Sequence, residues 1–203
     1  MKVFLFISLM FIATSSFCQS DEIYRLTFSN PSNFKLTTEL YKRKQPAYLW
    51  IVDTTDIWRT ERFWIKELNN TASQVIKTME EDEHHPYNHT YLFRDTILSK
   101  LIEENERRKL CTRAGELKST KLVLKGRTYS TAHSEKKLEG FYFTTTEPLF
   151  SSDGKYSFID ITVFYRERAD QELNDTYFGT VCIIYEKHKN TWKKIIHMDF
   201  LIL

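Results

Sequence analysis

The densest group of side chains able to do chemistry is the run Glu80-Glu81-Asp82-Glu83-His84-His85-Pro86-Tyr87-Asn88-His89. Neutral imidazoles and carboxylates are the ordinary ligands of zinc and similar divalent ions. A helix would bring two such ligands together at positions i and i+4. Pro86 stands between His85 and His89, so that pairing is broken, and no HExxH motif occurs. The competing reading is a hydrated acidic helix end that runs into an exposed loop. No metal ligand and no cofactor are assigned.

Nucleophilic chemistry finds less support. There is no G-x-S-x-G elbow, and Ser152-Asp153-Gly154 reads as a hairpin turn. Cys182 has His188 and His197 near it in sequence, but His197 is expected on a strand and the local pattern matches no cysteine hydrolase. A pair of carboxylates for glycoside hydrolysis is defined by separation in space and leaves no mark in a single sequence. None of the five glycines forms a phosphate-binding loop. No catalytic residue is assigned.

Binding chemistry has three sets of candidates. The basic pieces Lys42-Arg43-Lys44, Arg107-Arg108-Lys109 and Lys193-Lys194 would recognise an anionic glycan or lipid head group only by converging on one face. Trp50, Trp58, Trp64 and Tyr87 could line a sugar or peptide groove, or serve simply as packing. Asn69-Asn70-Thr71, Asn88-His89-Thr90 and Asn174-Asp175-Thr176 match the N-glycan acceptor pattern, which arises often by chance. With 29 Lys+Arg against 27 Asp+Glu, the chain lacks the global basic field of a nucleic-acid binder.

The start of the chain points to export. Met1-Lys2 gives a positive start, and Val3 to Thr14 is an apolar run too short to span a bilayer comfortably. Ser16 and Cys18 supply the small residues of a cleavage site, so residues 1–18 read as a signal peptide cut near Cys18/Gln19. The lipoprotein alternative, with Cys18 acylated, is disfavoured by bulky Phe17 before it and polar Ser15. No later segment reaches the ~18 uncharged apolar residues of a membrane helix. The expectation is an exported protein, periplasmic or secreted. Cys111 and Cys182 remain after cleavage; they could form a disulfide, or Cys182 could be a small buried hydrophobe between Val181 and Ile183.

The elements that must position these groups fall into two halves. Ala47 to Val52 reads as a short buried strand, and Ile57 to Leu68 is ambiguous between strand and helix, with helix preferred. Thr71-Ala72-Ser73-Gln74 is a capping box before the apolar stripe Ala72, Val75, Ile76 and Met79, which predicts a helix to about Glu81. A second helix starts near Asp95, with Ile97, Leu98, Leu101 and Ile102 as its buried face and Glu103–Arg107 and Glu104–Arg108 pairs on its solvated side. Strands follow: Lys121 to Leu124 before Gly126, Phe141 to Thr145, Lys155 to Arg166, Phe178 to Lys187, and Trp192 to Phe200. Their punctuation is Asp153-Gly154, the polar loop Glu167 to Asp175, and His188-Lys189-Asn190. In Lys155 to Arg166, Ile159, Ile161, Val163 and Tyr165 alternate with Tyr156, Phe158 and Phe164; in the next strand, Val181, Ile183 and Tyr185 alternate with Cys182 and Ile184. Both faces of the sheet therefore ask for cover.

The strand-rich end also carries a resemblance. Glu147-Pro148-Leu149-Phe150-Ser151-Ser152-Asp153-Gly154-Lys155-Tyr156, then Gly179, then Ile184-Tyr185-Glu186-Lys187-His188-Lys189-Asn190-Thr191-Trp192-Lys193-Lys194-Ile195 resembles the ending of small exported bacterial proteins of unknown function, of the form P-x-F-S-x-D-G-K-x-A and E-K-x-N-x-W-K. It spans residues 140–198. Those relatives carry a pair of cysteine-glycine steps before the last hairpin, of which this chain keeps Gly179 and a displaced Cys182. The resemblance implies an exported, sheet-ended domain and brings no activity with it.

Together these readings predict an α+β fold, with N-terminal helices packed on one face of a C-terminal antiparallel meander. Residues 19–203 form a single domain, helix-rich over 19–115 and strand-rich over 116–203. The functional expectation is a non-enzymatic binding or envelope-assembly module whose partner is an envelope protein or glycan. A small exported hydrolase of carbohydrate or peptide, with a site assembled only by the fold, is the second reading.

Overall fold

The computed structural model describes residues 19–34, 48–63, 92–94, 96–133, 139–169 and 172–201. Among these, strands dominate: β1 (Leu49–Asp56), β2 (Tyr129–Ala132), β3 (Gly140–Thr146), β4 (Leu149–Phe150), β5 (Tyr156–Ala169), β6 (Glu172–His188) and β7 (Thr191–Leu201). They make one sheet in the order β2-β1-β3-β5-β6-β7, with β4 pairing β5 beyond the end of β3. The helices are α1 (residues 19–28), α2 (Thr96–Leu101) and α3 (Glu104–Glu116), with single 3-10 turns at Pro31–Phe34, Thr60–Phe63 and Leu92–Arg94.

This overturns the expected α+β arrangement. The sheet spans most of the described chain and is mixed: β1 runs parallel to both β2 and β3, while the β3-β5-β6-β7 and β4-β5 pairs are antiparallel. The short apolar run read as a buried strand is an interior strand of the sheet, not an appendage of a helical lobe. Its alternation explains the position: Leu49 and Ile51 are buried on one face, while Trp50 and Val52 point to the other.

The helices do not share a face either. One core contains Ile23, Tyr24 and Phe28 of α1 against Leu49, Ile51, Phe143, Ile159, Ile161, Val181 and Ile183. The other packs Leu98, Ile102, Leu110 and Ala114 of α2 and α3, with Trp58, Phe63 and Phe93, against Phe158, Cys182, Ile184 and Phe200. Both apolar faces of β5 and β6 are covered, as their alternation predicts. Each large side chain fully buried in this way contributes about 1.5–3 kcal/mol of transfer free energy. In α1 the buried residues Ile23, Tyr24, Thr27 and Phe28 recur with helical spacing, so that one stripe meets the sheet.

The helix expected from Asp95 is split. α2 ends at Leu101 and α3 begins at Glu104, because Arg107 reaches back to the carbonyls of Ile102 (Nε to O, 2.8 Å) and Ser99 and terminates the first helix. The break turns Ile97 and Leu101 outward, leaving Leu98 and Ile102 as the buried pair. Glu104 and Arg108 form the expected surface pair. The block from Ile57 holds only the 3-10 turn Thr60–Phe63 among its described residues; the helix expected over 71–81 lies outside them.

The polar loop expected from Glu167 to Asp175 is instead mostly a strand ribbon. β5 and β6 continue as a pair to Ala169↔Glu172, with Arg166 and Asp175 bonded across it. A bulge at Phe178 bends this ribbon, since Val163 faces Gly179 while Phe164 faces Tyr177. Gly179 adopts φ of 142°, a region that strains any residue with a Cβ.

Candidate binding face

The bulge decides what β6 shows to each side. Phe178 turns into the α1-side core against Phe141 and Tyr165, and Tyr177 turns to the opposite face beside Phe164. Four aromatic residues then stand in register across four neighbouring strands: Trp50 faces Tyr142, Tyr142 faces Phe164, and Phe164 faces Tyr177. All four are half-buried. The Tyr142 and Phe164 rings stack at 5.0 Å between centroids with 9° between planes; Phe164 meets Tyr177 edge-on at 5.8 Å. Rings stacked between adjacent strands stand upright on the sheet, so Tyr142 and Phe164 offer edges, not faces, to whatever lies above.

Polar rows flank the aromatic one. On one side Arg166 forks onto Asp175 through Nε and Nη2 at 2.6 and 2.8 Å, with its guanidinium 4.8 Å from the Tyr142 ring centre. Those hydrogen bonds from Arg166 hold the Asp175 carboxyl below its ordinary pKa. Burial, with the Asp175 charge beside it, pushes the Tyr142 hydroxyl up to about 12. On the other side Thr144, Thr162 and Thr180 are cross-strand neighbours, and the Tyr177 and Thr180 hydroxyls are 3.0 Å apart.

Beneath the threonines the face becomes a closed polar interior. Arg62 donates from Nε to Asp160 Oδ2 at 2.8 Å, both side chains being almost inaccessible, and its guanidinium lies 3.9 Å from the Phe200 ring centre. Thr145 and Thr146 hydroxyls hold the backbone of Asp160. Cys182, the Cα partner of Asp160, is fully buried; burial, reinforced by Asp160, keeps its thiol well above the usual range. A thiol in that state is a poor nucleophile.

Two carboxyls near the ends of β1 and β3 are also pushed up by burial. Asp56 accepts a hydrogen bond from Thr144 and feels Asp160; Glu147 acts on Tyr24 on the α1 side of the sheet. Asp56 thus neighbours the Asp160 pair, and Glu147 neighbours Tyr24.

The sequence candidates are dispersed by this arrangement. Trp50 is in the aromatic row, but Trp58 is core, 3% exposed, with its indole N–H donating to the Glu147 carbonyl at 2.7 Å. Trp64, Tyr87 and the whole Glu80–His89 run lie outside the described residues, as do the first two glycan acceptor triplets and Lys42–Lys44. Cys111 and Cys182 are not bridged to each other, which corrects the disulfide alternative. His197 pairs with Ile183 on the α1 side, opposite to Cys182, and lies 3.1 Å from Asp199, so His197 and Cys182 do not form a pair. Among the described residues the basic pieces are engaged separately: Arg107 and Arg108 locally on α2 and α3, and Lys194 at Asn33, 2.7 Å away. Tyr142, Phe164 and Tyr177 were not singled out as site residues, because their common row depends on cross-strand register, which only the fold supplies.

The site thus belongs to a mixed-sheet protein with a half-buried aromatic ladder on one face. Comparison with known proteins finds no family model, no curated protein and no solved structure that matches this chain.

Proposed function

We propose that this is an exported, non-enzymatic binding module of the cell envelope, and that a protein partner docks on the Trp50–Tyr142–Phe164–Tyr177 row. The observation that carries the reading is the upright stacking of Tyr142 on Phe164. Sugar rings bind by lying flat on exposed aromatic faces. Upright rings present C–H edges and phenolic hydroxyls, which suit the aromatic and carbonyl-rich surface of a polypeptide. Half-buried Tyr and Trp beside a satisfied Arg–Asp pair also have the composition of an interface centre with a polar rim. Export is supported by Met1-Lys2, the apolar run Val3 to Thr14 and the small residues at Ser16 and Cys18, together with the tail resemblance over residues 140–198.

The test is site-specific photocrosslinking in the native envelope fraction. A photoreactive residue in place of Trp50 or Tyr177 should capture a discrete protein, and one at exposed Thr191 should not. Equal capture from all three positions, or capture of glycan from the row, overturns the reading.

A further inference from the structure

A second surface lies at the sheet margin next to Trp50, whose β2 partner Ser130 in turn bridges Lys125. Leu117 to Ser134 contains no acidic residue, yet it carries Lys118, Lys121, Lys125 and Arg127. The structure makes this stretch the outer rim of the sheet. The Leu122 N–H donates to the Asp53 carbonyl at 2.7 Å, the Thr55 N–H to the Thr120 carbonyl at 2.9 Å, and the segment then folds back on β2 through Thr131 N–H to Leu124 O at 3.0 Å. Gly126 makes the fold-back feasible, since a Cβ there would meet the Tyr129 ring at 2.2 Å. Leu122 and Leu124 are buried in the α1-side core, so Lys121, Val123 and Lys125 alternate outward.

All four cations are exposed, and none forms an ion pair with a described residue. Along the chain the stretch is flanked by Glu116 and Glu135, and across the edge Leu122 bonds the backbone of Asp53. Lys121 and Lys125 are about 13 Å apart on an extended backbone. Between them Val123 is 78% exposed, the highest value among the large hydrophobic side chains on the described surface.

We propose that this rim seats the protein on an anionic lipid bilayer. A row of cations alone would suit any polyanion, including an acidic glycan. The bare valine between the lysines selects among them, because it gains nothing from a hydrated polyanion and gains burial at a lipid interface.

The experiment is vesicle co-sedimentation of the purified protein with phosphatidylcholine alone and with phosphatidylcholine containing phosphatidylglycerol. Variants are compared in the same form of the chain, so any contribution from residues 1–18 is common to all. Binding should require the anionic lipid and fall as salt rises. The Lys121→Gln/Lys125→Gln pair should weaken it by about twenty-five-fold, fivefold per charge or about 1 kcal/mol each. Lys121→Arg/Lys125→Arg should retain it, and Val123→Ser should weaken it most visibly at high salt. Circular dichroism monitors the fold of each variant. Equal binding to both vesicle types, an equal loss from Lys193→Gln on the far edge strand, or unaltered binding of Val123→Ser would each overturn the proposal. The last outcome, with a soluble sulfated polysaccharide bound as well, would assign the rim to a polyanion.

Discussion

Arg62 and Asp160 form an ion pair that water hardly reaches: the guanidinium donates to Oδ2 at 2.8 Å, and the two side chains are 0% and 6% exposed. Taking both charges out of water costs several kcal/mol per ion, and their attraction returns that cost only while both are present. Asp160→Ala should therefore destabilise the protein by about 3–5 kcal/mol, because it strands a buried cation. The double substitution Arg62→Met/Asp160→Leu should recover most of that loss. Urea denaturation of Arg62→Met, Asp160→Leu and the double variant measures the coupling; additive losses would show that the pair is not the controlling feature.

Backbone geometry makes a separate prediction of opposite signs at two turns. Gly179 holds φ at 142° within the β6 bulge, whereas Lys189 sits at 57° in the β6–β7 hairpin although it carries a Cβ. Gly179→Ala should cost about 1–3 kcal/mol. Lys189→Gly should stabilise, or at worst leave stability unchanged, with an expected gain of about 0.5–1 kcal/mol. Denaturation midpoints at constant m-value report both.

Acid should loosen the β5–β6 ribbon through Asp175. Its pKa lies below that of an ordinary aspartate, because the hydrogen bonds from Arg166 favour the ionised carboxylate. A depressed folded-state pKa means that the stabilisation is present above the unfolded-state value and is lost as pH falls through the folded-state value. Stability should thus drop below about pH 4, and Asp175→Asn should flatten that part of the profile while lowering stability at neutral pH. The pair is surface-exposed enough that the neutral-pH loss should be small. Identical acid limbs for both proteins would contradict this assignment.

The thiols give the fourth test. Cys111 is partly exposed, with its Sγ 3.8 Å from the Thr60 carbonyl, while Cys182 is sealed beneath α3 and its thiol is pushed up by burial. Alkylation of the native protein should modify Cys111 and spare Cys182. Denaturation without reductant should expose both. Finding neither thiol under denaturing, non-reducing conditions would mean that they are bridged.

Much of the strand alternation in β5 and β6 was legible in the sequence, since Ile159, Ile161 and Val163 against Phe158 and Phe164 follow the period of two. Topology was not. Nothing in Leu49 to Val52 says which downstream strands will flank it, so an antiparallel meander was the simpler expectation. The Glu167–Asp175 stretch is polar because that ribbon meets solvent, and polarity alone cannot separate such a ribbon from a loop. Of the candidate site, Trp50 was visible by type. Its three companions came from register and from the Phe178 bulge, which shifts Tyr177 and Phe178 to faces that strict alternation would exchange. The cationic rim leaves only a faint trace in the sequence: its charges are spread one by one along an extended edge, where only the lack of acids from Leu117 to Ser134 marks it.

The placement of β1 has a consequence for how the molecule comes into being. Both of its neighbours, β2 and β3, lie far downstream, so a strand near the beginning of the chain has no hydrogen-bonding partners until the later half exists. The β5–β6–β7 hairpins can zip from local contacts, but the early strand must then be captured across a long loop, a step slowed by the entropy of closure. A polypeptide released before β2 and β3 emerge would hold its first strand as an unclaimed apolar segment, dependent on the remainder of the chain for its place.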